Sequence, residues 1–224
     1  MPNADPMFWQ RPVLGFIVEG DGEYKAFPSL AAHIVGQELH VQCLNAGGYG
    51  GITANLAEQL TDLVATYHPH EVIVALDLGD VLKAGLCPDC LALVTLLRQQ
   101  IADWEVSYGA DSRLQPLPEQ ITIVLQCPKL EAWMIADAEA LNGKTLIELE
   151  DDFAHWSDVD TDVSDPAAWL LMRMAGSRLK CPKFQKACLS AGDPQVMAAR
   201  SRSFRKFVKE VQGAYSRWEA ARPL

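Results

Sequence analysis

No apolar run in the 224-residue chain approaches the ~18 residues that a bilayer-spanning helix requires. The opening stretch MPNADPMFWQRP has no basic segment, apolar core or small-residue cleavage site. No secretory signal is therefore expected, and the expected compartment is the cytoplasm. Basic side chains are scarce over most of the length: residues 1–172 carry 7 of them against 26 acidic ones. That balance excludes a uniformly basic nucleic-acid wrapper. Nucleotide and nucleophile motifs are missing too. The glycine cluster at 47–51 is not followed by Lys-Ser or Lys-Thr and lacks GxGxxG spacing, and no GxSxG occurs. Cys87-Pro-Asp-Cys90 has the spacing of a zinc half-site, but Cys181 and Cys188 are too far apart to complete it, so no zinc site is expected. With no secretory signal, the six cysteines are expected to be thiols. No internal repeat or low-complexity tract is found.

What is present reads as an ordinary globular chain, 49% apolar and 21% charged, long enough for one generous domain or one with an appendage. The net charge of −10 hides a division, because residues 173–224 hold 12 basic and 3 acidic side chains. Such a segment suits phosphate, an acidic partner surface, or simply a solvated helix face.

Short continuous apolar runs at 13–18, 39–44, 71–76 and 121–125 have the pattern of buried parallel strands. Helical periodicity follows each: 24–35, 53–67 (Leu56, Leu60, Leu63 and Val64 on one face), 90–104 and 130–141. This alternation predicts an α/β fold with a mostly parallel sheet flanked by helices. Residues 151–165 read as an acid-rich loop, and about 193–217 as a long basic helical segment. The expected division is an α/β domain over 1–145 and a helical, basic C-terminal region over 146–224 packed on it.

In an open parallel sheet, ligands gather beyond the C-terminal strand ends. The first run delivers Glu19 and Glu23 there, the second the glycine loop, the third Asp77 and Asp80, and Glu131 follows the fourth. Carboxylates converging on one edge repel one another unless a hard cation sits among them, and Mg²⁺ suits such oxygen donors. Metal-assisted phosphoryl transfer uses this apparatus. Helix capping is the competing explanation for the acids near 19–23, but Asp77, directly after a buried apolar run, would cost desolvation for nothing. Asp137 lies too far round its helix from Glu131 to share the site and reads as structural. Gly48 and Gly50 offer at most a weak phosphate loop at a helix start.

Phe16-Ile-Val-Glu19-Gly20 with Glu23 resembles the opening motif of the Toprim fold of topoisomerases, bacterial primases and OLD-family nucleases. Leu130-Glu131-Ala-Trp133-Met-Ile-Ala-Asp137 and Ser201-Arg-Ser203-Phe204-Arg-Lys-Phe207 are similar to two signatures of small stand-alone Toprim-like bacterial proteins, often encoded beside an ABC- or AAA-type ATPase. The resemblance implies Glu19 as general acid/base and an Asp-x-Asp pair binding Mg²⁺ (or Mn²⁺) at the strand ending in Asp77. Here that pair reads Asp77-Leu-Gly79-Asp80, with glycine in place of the second acid. The implied function is a Mg²⁺-dependent nuclease, an effector of an ATPase-associated bacterial defence system. Asp77, Asp80, Glu131 and Glu23 would be metal ligands, and Arg200, Arg202, Arg205, Lys206 and Lys209 nucleic-acid contacts. The alternative is a non-catalytic regulatory subunit of an ATPase partner.

Overall fold

Four apolar runs become the strands of one sheet: β1 (Leu14–Val18), β2 (Val41–Asn45), β3 (Glu71–Asp77) and β4 (Gln120–Gln126). The computed structural model describes residues 13–111, 117–174, 176 and 178–221. All three pairings are parallel, and the strand order is β2-β1-β3-β4. The expected α/β architecture is therefore present. Helices α1 (Asp21–Val35), α2 (Tyr49–Tyr67), α3 (Leu78–Lys83) and α4 (Cys90–Gly109) connect the strands. After β4 come α5 (Leu130–Ile135), α6 (Ala138–Gly143), α7 (Val159–Asp162), α8 (Pro166–Arg173), α9 (Pro182–Ala191), α10 (Pro194–Arg200) and α11 (Arg202–Ala220). No helix among the described residues is long and apolar enough to cross a membrane.

Alternation along β1 divides the core. Leu14, Phe16 and Val18 point into a layer shared with α1, α5 and the C-terminal helices, while Ile17 faces the opposite layer under α2 and α4. The C-terminal helices thus complete one of the two covers that a parallel sheet needs. Their seal is aromatic. Trp133 is fully buried, with ring centroids 5.9 Å from Phe27, 5.2 Å from Phe204 and 5.2 Å from Phe207.

Two helices expected to run unbroken are each divided. The 130–141 segment stops at Ile135, and Asp137 leaves helical geometry (φ −124°, ψ 65°) to cap α6 through the Ala140 N–H. The basic segment breaks at Ser201, whose hydroxyl accepts from Phe204 N–H at 3.0 Å to start α11. The 151–165 loop contains the single turn α7, and the glycine loop ends sooner than expected because Tyr49 already begins α2.

At the N-terminal end of β3, Glu71 is buried at 4% exposure. It receives two hydrogen bonds from Arg217 of α11, Nε to Oε1 at 2.6 Å and Nη2 to Oε2 at 2.7 Å. Truncation of the arginine strands a buried carboxylate. Arg217→Ala is expected to cost about 1–3 kcal/mol of unfolding free energy in urea denaturation, with Arg217→Lys losing less.

Candidate functional site

β1 and β3 lie side by side, yet α1 leaves β1 toward one face and α4 follows β3 on the other. The strand order reverses between them, so a crevice opens beyond their C-terminal ends. Glu19 follows β1 directly and Asp77 ends β3. Asp77 is also the residue that precedes α3, and the first turn of that helix returns Asp80 to the same side. One carboxylate oxygen each from Glu19, Asp77 and Asp80 lies within 4.8 Å of the other two. Glu23 and Glu131 line the same cavity of about 390 Å³, together with Lys129, Lys180 and Gln185, but lie outside that cluster of three.

Backbone amides fix the cluster. Asp77 N–H donates to Glu19 Oε2 at 2.9 Å, and Leu130 N–H donates to Asp77 Oδ1 at 2.8 Å. The glycine loop is tied to Glu19 as well. In the same loop Gly48 takes φ 112° and gives its N–H to the Glu19 carbonyl at 2.7 Å. The loop proposed above as a phosphate cradle is thus engaged in holding Glu19 through the Gly48 amide. Gln126, fully buried, faces Asp77 across the β3–β4 register. Oriented to satisfy its neighbours, its amide nitrogen donates to Asp77 Oδ1 and, at 3.2 Å, to Glu23 Oε1.

Glycine at position 79 has a packing reason. A Cβ there would approach the Pro128 carbonyl oxygen to 2.9 Å, and Gly79 N–H donates to that oxygen at 2.7 Å. Asp80, one residue on, is carried to the cluster by the helical turn.

The electrostatics are those of an overcrowded anionic site. Burial, reinforced by Glu23, Glu19 and Glu131, pushes Asp77 well above the usual carboxylate range. Glu23 rises to about 7, through burial and then the charges of Glu19 and Glu131. Burial also raises Glu19, helped by Asp80, and Glu131. Lys129 opposes this, forming an ion pair with Asp80. An all-oxygen donor set with surplus negative charge fits a hard divalent cation, and Glu19, Asp77 and Asp80 could hold one.

The five C-terminal cations lie elsewhere. None lines the cavity. Arg200 binds Glu139 (2.9 Å) and the Ala136 carbonyl, Arg202 pairs with Asp158 (2.6 Å), and Arg205 donates to the carbonyls of Ala198 and Ala199. Lys206 pairs with Glu210, and Lys209 is exposed. The serines beside them are structural. Asp160 accepts from Ser201 Oγ and Ser203 N–H, both at 2.7 Å, and Ser203 Oγ accepts from Trp133 Nε1 at 2.7 Å. Asp137, as expected, is structural, accepting from Asp193 N–H at 2.9 Å.

The cations that do line the cavity, Lys129 and Lys180, were not singled out from sequence, nor was Gln126. Lys129 stands two residues before Glu131, a proximity that could have marked it. Gln126 needed the strand register.

No curated protein and no solved structure gives a significant match to the chain. Residues 18–212 match the family described as "Domain of unknown function (DUF4276)", a span that begins one residue before Glu19 and runs into α11. With the cluster, the cavity and the aromatic seal all inside that span, the chain belongs to the DUF4276 family.

Proposed function

We propose that this chain is a Toprim-like, Mg²⁺- or Mn²⁺-dependent phosphodiesterase that hydrolyses nucleic acid, as an effector of an ATPase-associated bacterial defence system. The observation that carries the reading is the convergence of Glu19, Asp77 and Asp80 at the reversal point of a parallel sheet. A bound divalent ion would polarise a phosphoryl oxygen and lower the pKa of a coordinated water. Asp77 and Asp80 would hold such an ion, and Glu131 and Glu23 line the same cavity as further oxygen donors. Glu19, its carboxyl lifted by burial, takes a proton from the attacking water or returns one to the leaving oxygen. Lys129 and Lys180 give the cavity a positive side on which phosphate can rest. A chain carrying −10 binds nucleic acid weakly by itself, so the ABC- or AAA-type ATPase would supply affinity or gating.

The second reading, a non-catalytic regulatory subunit, is favoured by one observation: Arg202, Arg205, Lys206 and Lys209 are exposed on α11 yet absent from the cavity. Those helices would then dock an acidic ATPase surface. Cleavage of DNA and RNA with Mg²⁺ or Mn²⁺, with and without the ATPase, separates the two. The nuclease reading expects cutting by wild type and losses of about 10²–10⁴-fold in Glu19→Gln, the range for removing an acid–base group. Equal cutting by wild type and Glu19→Gln, or none by either, contradicts it.

A further inference from the structure

The acidic cluster already has a cation of its own. The 128–130 segment is stitched to the β3–α3 junction on both sides of Lys129. Gly79 N–H donates to the Pro128 carbonyl at 2.7 Å, and Leu130 N–H donates to Asp77 Oδ1 at 2.8 Å. Between these bonds the Lys129 ammonium can reach Asp80, and it forms its ion pair there. Both side chains are only about a third exposed, at 34% and 31%. Asp80 is one of the three residues whose oxygens converge, so Lys129 claims a carboxylate that a divalent ion would also claim.

We propose that Lys129 is a resident competitor for the metal site: a divalent ion loads by displacing its ammonium from Asp80, and the freed ammonium remains in the cavity, beside Lys180, to meet the phosphate of the substrate. The inference rests on the metal-dependent reading above and adds a coupling between loading and substrate capture. A doubly charged ion held by the cluster would face the ammonium across one carboxylate, and in a partly desolvated cavity that repulsion is much less screened than in water. Lys129 therefore does two jobs in turn. It neutralises part of the cluster before the ion arrives, and afterwards it offers a positive charge to an incoming anion.

Mn²⁺ affinity, measured by calorimetry and by electron paramagnetic resonance without substrate, tests the competition. Lys129→Met is expected to bind Mn²⁺ about tenfold more tightly than wild type, because a partly buried ion pair no longer has to break. Lys180→Met removes the same charge from the same cavity without touching Asp80, and should change affinity by less than about threefold. In an Asp80→Asn background, where no pair exists to break, Lys129→Met should also change it by less than about threefold. Lys129→Gln keeps the measurement open should the methionine variant fold poorly. Unchanged or weaker binding in the Lys129 variants overturns the inference alone, as does equal tightening in Lys129→Met and Lys180→Met. Absence of Mn²⁺ binding in every variant, wild type included, overturns both this inference and the metal-dependent reading.

Discussion

Asp77→Asn is expected to make the ion-free protein more stable while abolishing its response to divalent ions. Asp77 is buried against Glu19, Glu23 and Glu131, and all of these charges raise its carboxyl. An amide removes the repulsion, and its oxygen can still accept from Leu130 N–H as Asp77 Oδ1 does. At pH 8 the melting temperature should rise by at least about 2–4 °C, the shift that 1 kcal/mol produces in a chain of this size. Wild type at a hundredfold excess of Mg²⁺ over its Kd should gain about 2.7 kcal/mol, and the variant nothing. Divalent-dependent cleavage should disappear with the ion response. A residue that destabilises the fold it sits in is the thermodynamic mark of a site built for a ligand.

The pH dependence follows from the same crowding. Glu23 titrates near 7 in the folded chain, against an ordinary value of 4.5. The fold favours its protonated form, so its contribution to stability is full below pH 4.5 and is lost as pH rises through 7. Without divalent ions, stability should fall across that window, by on the order of 3 kcal/mol from this group. Saturating Mg²⁺ should flatten the slope.

Trp133→Ala carries the second large effect. The indole is fully buried among Phe27, Phe204 and Phe207, and its Nε1–H donates to Ser203 Oγ at 2.7 Å. Removal leaves a cavity where α1, α5 and α11 meet and deprives a serine of its donor. A loss of about 3–5 kcal/mol is expected in chemical denaturation, typical of truncating a buried large aromatic. Trp133→Phe should lose clearly less. The variant also asks whether α11 docks independently of the sheet: if 146–224 detached alone, unfolding would separate into two transitions. A common core joining Phe16 to Phe207 (centroids 5.9 Å apart) predicts one.

The four strands were legible because a parallel strand covered on both faces must be apolar almost throughout, as Leu14–Val18 and Val72–Leu76 are. Glu19 and Asp77 were legible for the complementary reason, since charge directly after such a run has no packing use. The helix breaks were not. Asp137 and Ser201 terminate regularity by binding Asp193 and Asp160, partners tens of residues away that local periodicity does not register. Long-range pairing also hid what the C-terminal cations do. Arg200 and Arg202 lie within ten residues of Lys206 and Lys209, but acids from 139 and 158 hold them. The cations inside the cavity come from 129, which stands apart from any basic run, and from 180, at the start of the basic segment and well before its closing helix. Gly79, an apparent defect in an Asp-x-Asp pair, becomes intelligible only once the Pro128 carbonyl is seen passing over it.

Anomalous diffraction from Mn²⁺-soaked crystals tests the central claim most directly. The account predicts a peak in the crevice between β1 and β3, about 2.1 Å from oxygens of Asp77 and Asp80 and beside Glu19, with the Lys129 ammonium moved off Asp80. No peak at that crevice under saturating Mn²⁺, or Mn²⁺ bound only at other acidic groups of the surface, would contradict it.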